Sequence, residues 1–244
     1  MKNRIPDGHW LITRACAHRG LHGGEVPENS LIAFIKAIEN GYPIETDVQL
    51  TSDLVPVCFH DDDLTRMTGD SRRIWDTPFA EVQNLRLASS DERVPTFEEF
   101  LKLVDGKVPL LIEIKTQPHN KEVCQKVVEL LDGYKGEFAI QSFDPRVMGE
   151  IKKLRPQILR GQLMDKDRHR GLSWITDKLL SSGFLNFISK PDFINMHQKY
   201  VPVSKCLARG KRVLCWTVRS EEEESKILGK VDGFVFENIV PKLK

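Results

Sequence analysis

Short apolar runs recur along almost the whole chain, at about residues 12–18, 43–50, 54–60, 108–115, 137–143, 157–164, 191–196, 212–218 and 231–236. Many are rich in Val, Ile or Leu, as strands covered on both faces should be. Helix-like segments with start signals lie between them. Asn29 or Ser30 can cap a helix whose apolar stripe is Leu31, Phe34, Ile35 and Ile38, with Gly41 as its stop. Thr96 and Glu99 have capping-box spacing, as do Ser220 and Glu223, and Asp144-Pro145 is a cap with proline at the first helical position. The run Glu221 to Glu224 then reads as an acid-rich first turn. Alternating strand and helix signals predict a parallel α/β fold. Nine runs are one too many for an eight-stranded barrel, and the link from Thr51 to Leu54 is too short for a helical crossover. The second and third runs therefore form a hairpin or an irregular connection, with the extra strand left open.

A chain of 244 residues has the length of one α/β barrel, and no low-complexity linker or shift of composition divides it, so residues 1–244 are expected to form a single domain. Thirty-six basic against thirty-five acidic residues remove any bulk electrostatic case for nucleic acid or an anionic membrane. Neither a signal-peptide run nor eighteen consecutive apolar residues occur, which predicts a cytoplasmic protein without stable membrane insertion. The five cysteines are odd in number and form no CxxC pair, which argues against a disulfide framework or a zinc site; Cys16, Cys58 and Cys215 read as buried, inert thiols. The oligomeric state is not legible.

Chemistry-bearing residues gather at the far ends of the runs, where a parallel barrel builds its active site. The stretch CAHRGLHGGEVPENS ends the first run on His18-Arg19 and then spends three glycines in five positions. Glu45 and Asp47 lie two apart in the second run, His60-Asp61 ends the third, and Glu113 and Lys115 lie two apart in the fourth. Spacing of two on a strand puts both side chains on one face. Three carboxylates facing one space repel unless something positive sits among them, and an oxygen-ligated divalent cation, Mg²⁺ or Ca²⁺, is the simplest answer. With that ion, Glu45, Asp47 and Glu113 (−3), the metal (+2), Arg19 and Lys115 (+2) sum to +1, a balance that suits a phosphodiester anion. Any one of these residues alone has an ordinary structural reading; their co-occurrence at strand ends gives them weight. His9, His22, His119, His169 and His197 fall outside the pattern and read as structural or exposed. The run Asp61 to Asp63 lacks the spacing and glycine of an EF-hand, so only Asp61, beside His60, is retained.

The ordered series AHRG, PENS, IETDVQLTSD, VCFHDDDLTRMTG, VPTFEEFL, LLIEIK, IQSFDP, CWTV and VDGFVFENIVP resembles the glycerophosphodiester phosphodiesterase family over about residues 15–241. The resemblance implies a TIM (β/α)8 barrel of the PI-phospholipase C-like phosphodiesterase type. It implies a metal-dependent hydrolase that cuts glycerophosphodiesters, such as glycerophosphocholine and glycerophosphoethanolamine, to sn-glycerol 3-phosphate and an alcohol. Under it His18 and His60 match the acid/base pair, Glu45, Asp47 and Glu113 the metal ligands, and Arg19 and Lys115 the phosphate contacts, with Glu28 and Asn29 in support. Gln141 and Trp216, from late strands, are candidates for the glycerol half, since an indole packs on its carbons. The chain departs from the family's Thr-Asp-x-Pro ending with Phe236-Glu237-Asn238. The segment between His60 and the next strand is read as short, without an elaborate capping subdomain, leaving the leaving alcohol little enclosed. A related-barrel phospholipase acting on intact lipids would need a membrane-docking face, and no basic amphipathic helix is evident. An inactive phosphate-binding module would have lost a histidine or carboxylate, and none is missing.

Overall fold

A computed structural model describes residues 4–167 and 182–243. The strands run β1 (Cys16–Ala17), β2 (Ile44–Leu50), β3 (Pro56–Cys58), β4 (Leu110–Ile114), β5 (Phe138–Ser142), β6 (Arg160–Met164), β7 (Phe193–His197), β8 (Arg212–Val218) and β9 (Gly233–Phe236). The α-helices are α1 (Trp10–Thr13), α2 (Leu31–Glu39), α3 (Thr65–Thr68), α4 (Phe79–Val82), α5 (Phe97–Val104), α6 (Asn120–Leu131), α7 (Pro145–Leu154), α8 (Asn186–Ser189), α9 (Lys205–Ala208) and α10 (Glu221–Ile227). The strand order is β1-β9-β8-β7-β6-β5-β4-β2-β3, and β1 also pairs with β2, so the sheet closes on itself as a TIM (β/α)8 barrel. The supernumerary strand is β3. It returns antiparallel along β2, Val48 opposite Cys58, through a link of five residues, 51–55, whose length forbids a parallel crossover.

The chain packs as two compact units, residues 17–138 and residues 1–16 with 139–244. In the first, β2 is buried at all seven positions and lies parallel to β4 with Asp47 beside Glu113. Ser30, rather than Asn29, caps α2 by accepting the Ala33 N–H. The buried stripe of that helix is Ala33, Phe34 and Ala37, while Leu31, Ile35 and Ile38 are only half-buried. The alanines let the chain before the helix come close. Gly20 has φ +79°, and a Cβ there would lie 2.9 Å from the Ala33 carbonyl carbon.

The segment after His60 is not short. From Asp61 to Val94 it forms α3, a 3₁₀ turn at Ile74–Asp76 and α4 around its own apolar cluster, in which Leu64, Met67, Ile74, Val82, Leu87 and Val94 pack on Val57 and Phe59. These apolar residues are spaced irregularly, so neither helical nor strand period reveals them. Beyond this insertion Thr96 and Glu99 form the expected capping box of α5.

The other unit contains β6 to β9 as parallel neighbours, with β5 on β6. Asp144 caps α7 with Pro145 following, and Ser220 caps α10. The first apolar run is corrected here. Residues 10–13 form α1, capped by the His9 ring, and its Trp10 and Leu11 are buried. Cys16, Cys58 and Cys215 are buried as expected, with Cys124 buried and Cys206 exposed.

Candidate active site

Within residues 17–138 the strand pleat delivers Glu45 and Asp47 to one side of β2, and the parallel register sets Glu113 of β4 beside Asp47. All three carboxylates are buried, and each offers an oxygen within 4.8 Å of the others. Lys115, the next residue on the same side of the β4 line, places Nζ 2.9 Å from Glu113 and 3.5 Å from Asp47. Arg19 brings Nε to 3.3 Å from Asp47 and donates through Nη1 to Glu28 at 2.7 Å. Asn29 donates to Asp47 at 2.9 Å while its own carbonyl accepts from Thr46 at 2.8 Å. Burial of Asp47 is therefore matched by one hydrogen bond, from Asn29, and two cations, Arg19 and Lys115, as a buried charge requires.

Arg19 and Asn29 both take left-handed backbone, φ +53° and +52°, where a side chain costs about 1–2 kcal/mol. The strain is held by the Arg19 N–H on the Glu45 carboxylate at 3.1 Å and the Asn29 N–H on the Arg19 carbonyl at 3.0 Å. The result points the Arg19 fork at Asp47 and Glu28. His18 precedes it and is buried.

His60 is positioned from two directions. The Phe59 N–H bonds the Asp47 carbonyl at 3.1 Å, and the buried Gln49 amide donates to the Phe59 and Asp61 carbonyls at 3.0 and 2.8 Å. Gln49 lies two residues beyond Asp47, on the same side of β2. The His60 Nδ1 is 2.6 Å from Asp61. Arg66 on α3 bonds both Asp61 and Glu28.

The electrostatics are lopsided. Burial, with Asp47 and Glu113 adding to it, pushes the Glu45 carboxyl well above the usual range, against a smaller pull from Arg19. Burial would also raise Asp47, but Lys115, His60 and Arg19 together hold it well below. Burial disfavours a charged Lys115, yet Glu113 and Asp47 raise its ammonium above its ordinary value. Three carboxylates faced by Arg19 and Lys115 leave one charge unbalanced, and it falls on Glu45, which accepts from the Arg19 backbone N–H. An all-oxygen, carboxylate-rich set short of positive charge fits a hard divalent cation.

Gln141 and Trp216 belong to the other unit. Gln141 is buried on β5 and accepts from Asn195 at 2.9 Å. Trp216 on β8 stands edge-on to Phe143 and His197, with ring centroids 5.4 and 5.1 Å away, and its buried indole N–H has no partner among the described residues. His9 and His197 serve as helix or turn caps, His22 and His119 are half-buried, and His169 lies outside the described residues. Asn238 is in left-handed backbone after β9, φ +60°. Gln49 and Arg66 escaped the sequence reading. Gln49 continues the period-two series from Glu45, which was the available signal; Arg66 carries none, since nothing in its neighbourhood is periodic.

Residues 18–240 match the Glycerophosphoryl diester phosphodiesterase family. A glycerophosphodiester phosphodiesterase of Caldanaerobacter subterraneus subsp. tengcongensis is 30% identical, covering 92% of this chain and 94% of its own. Human glycerophosphodiester phosphodiesterase 1 is 26% identical over 86% of this chain and 73% of its own. A phosphodiesterase of Oleispira antarctica, solved in complex with the product sn-glycerol 3-phosphate, superposes with a TM-score of 0.77 at 28% identity, covering 92% of each chain.

Proposed function

Since the chain belongs to the glycerophosphoryl diester phosphodiesterase family and is an enzyme of that activity, we propose that His18 and His60 divide the proton transfers of glycerophosphodiester hydrolysis around a phosphate held by Arg19 and Lys115. The buried Glu45–Asp47–Glu113 cluster, with one negative charge left over, is the observation that carries this reading. Those three carboxylates would hold a divalent cation, Mg²⁺ or Ca²⁺, whose chemistry is to polarise phosphoryl oxygens and stabilise charge in the transition state. The Arg19 fork, shared among Asp47 and Glu28, and the Lys115 ammonium meet the non-bridging oxygens.

With Nδ1 committed to Asp61, the His60 ring keeps Nε2 for exchange with the reactants. One histidine takes the proton of the attacking water, or of the glycerol's neighbouring hydroxyl with water then opening the cyclic phosphate, as the attacking oxygen bonds to phosphorus. The other gives a proton to the departing alkoxide as its P–O bond breaks. The products are sn-glycerol 3-phosphate and the free alcohol, and the two histidines end with exchanged protonation states. The substrates proposed are glycerophosphocholine, glycerophosphoethanolamine and similar small diesters. For the glycerol half the candidates remain Gln141 and Trp216, the latter with an indole N–H that no described residue engages. The whole chain is taken to act as one catalytic domain. Release of glycerol 3-phosphate from a panel of these diesters tests the reading, with and without EDTA and with Mg²⁺ or Ca²⁺ added back. Turnover lost on chelation and restored by the ion is expected; full turnover in excess EDTA by metal-free protein removes the metal from it.

A further inference from the structure

Besides Asp61, the insertion that follows His60 brings the charged side chain of Arg66 to the site, and it touches both halves of the phosphate-and-proton machinery. Arg66 on α3 donates through Nε to Asp61 Oδ2 at 2.6 Å and through Nη2 to Asp61 Oδ1 at 3.1 Å. The same guanidinium donates through Nη1 to Glu28 Oε2 at 3.0 Å and through Nη2 to Glu28 Oε1 at 2.6 Å. These are two forked pairs on one planar group. At their far sides, Asp61 Oδ1 is 2.6 Å from His60 Nδ1, and Glu28 Oε1 accepts from Arg19 at 2.7 Å. An unbroken series Arg19–Glu28–Arg66–Asp61–His60 results.

We propose that Arg66 is a positioning residue that fixes the tautomer and orientation of His60 through Asp61, and the direction of the Arg19 fork through Glu28. Asp61 and Glu28 are each one rotatable carboxylate, and each could turn away from the group it orients. Arg66 pins both by binding both oxygens of each. Only a rigid fork with five donors does this; an ammonium could not. Against the effect of burial, the hydrogen bonds from His60 and Arg66 hold Asp61 below the usual carboxylate range, so it stays an acceptor for the Nδ1 proton. The folded core of the insertion explains why Arg66 can serve as an anchor. Leu64 and Met67, on either side of it, are buried in the cluster with Ile74 and Val82. Holding a histidine by a carboxylate follows the logic of catalytic triads, with Arg66 one step further out.

The inference rests on the role given to His60, and the test separates the two. In the full chain, Arg66→Gln is expected to lower kcat on glycerophosphocholine about 10- to 100-fold, the cost of a reacting group misplaced by about 1 Å, with KM changed far less. Arg66→Lys, which keeps the charge but not the fork, should fall between. In an Asp61→Asn background Arg66→Gln should add nothing further to the His60 signals and lower kcat only by the part that reaches Arg19 through Glu28. The ¹⁵N signals of His60 should show the Nδ1–H tautomer in the parent chain and a mixture in Arg66→Gln, a readout that does not need turnover. Arg72→Gln, in the same insertion but paired with Asp70 and Glu81, should leave kcat and the His60 signals unchanged. The proposal is overturned if Arg66→Gln, or Arg66→Lys should the first not fold, keeps both parental kcat and the parental tautomer. It is equally overturned if Arg72→Gln loses as much kcat, which would make the effect one of insertion stability. If His60→Ala itself turns over normally, the role assigned to His60 has failed instead.

Discussion

At the scale of single residues, Glu45 shows what the site lacks. Its folded-state pKa lies above its ordinary value, mainly through burial and then through Asp47 and Glu113. A carboxyl raised on folding takes stability away as pH rises. Below its ordinary value, about 4.5, both states are protonated; above it the unfolded chain ionises first, and folding loses ground until the folded value is passed. Metal-free Glu45→Gln should therefore be more heat-stable than the metal-free parent at pH 7–8, an advantage that vanishes below about pH 4.5. Calorimetry in EDTA across that range measures it, and equal midpoints at neutral pH would show that Glu45 bears no excess charge. Glu28 behaves oppositely: Arg66 and Arg19 overcome its burial and hold it below its ordinary value, so its contribution is present above pH about 4.5 and lost in acid. For the histidines, His18→Ala and His60→Ala should each cost about 10²- to 10⁴-fold in kcat. The double variant should cost much less than the product of the two, because the proton transfers belong to one reaction. Near-parental kcat in either single variant returns that residue to a structural role.

Elements carry these residues with unequal tolerance. The turn from β1 to α2 must pass Gly20 against the Ala33 backbone in left-handed conformation, so Gly20→Ala adds both strain and a contact at 2.9 Å. A loss of more than about 1–2 kcal/mol is expected. For a chain of this size that is a drop in thermal midpoint of at least about 2–4 °C per kcal/mol, accompanied by a fall in kcat because Arg19 is the preceding residue. Thr96→Ala removes the capping box of α5, whose bonds run between Thr96 and Glu99, and should cost about 1 kcal/mol with kcat unchanged. Thermal melts with parallel kinetics distinguish them, and a Gly20→Ala enzyme with parental stability would show that the turn relaxes freely.

Over the whole molecule, a formal charge of +1 and the lack, among the described residues, of any helix long and apolar enough to cross a membrane leave recognition to local chemistry. The phosphate contacts are common to every glycerophosphodiester, so discrimination must come from the two ends of the substrate. With an indole edge between Phe143 and His197 as candidate for the glycerol end, Trp216→Ala should raise KM similarly for all glycerol-containing diesters. The order of preference among choline, ethanolamine and glycerol alcohols should stay as it is. A rearranged order in steady-state assays would assign Trp216 to the alcohol instead. The folded insertion after His60 overturns the expectation of a short segment there, and it sets Arg66 against Asp61 and Glu28.

Strand period and strand-end position alone were enough to place Glu45, Asp47, Glu113 and Lys115 on one side of two neighbouring strands and to put His18-Arg19 and His60-Asp61 at strand ends. A pleat repeats every two residues whatever packs around it. The caps at Ser30, Thr96, Asp144 and Ser220 were readable for the same reason, being local hydrogen bonds between residues three apart or fewer. What required the tertiary structure is whatever depends on distant or aperiodic chain. It made residues 10–13 helical, chose β3 as the extra strand, shifted the buried stripe of α2 to its alanines, and folded the insertion. It also brought Arg66 to a carboxylate thirty-eight residues earlier. No spacing rule encodes such a meeting, because it is decided by which apolar side chains bury together and by where the groups between them are then left.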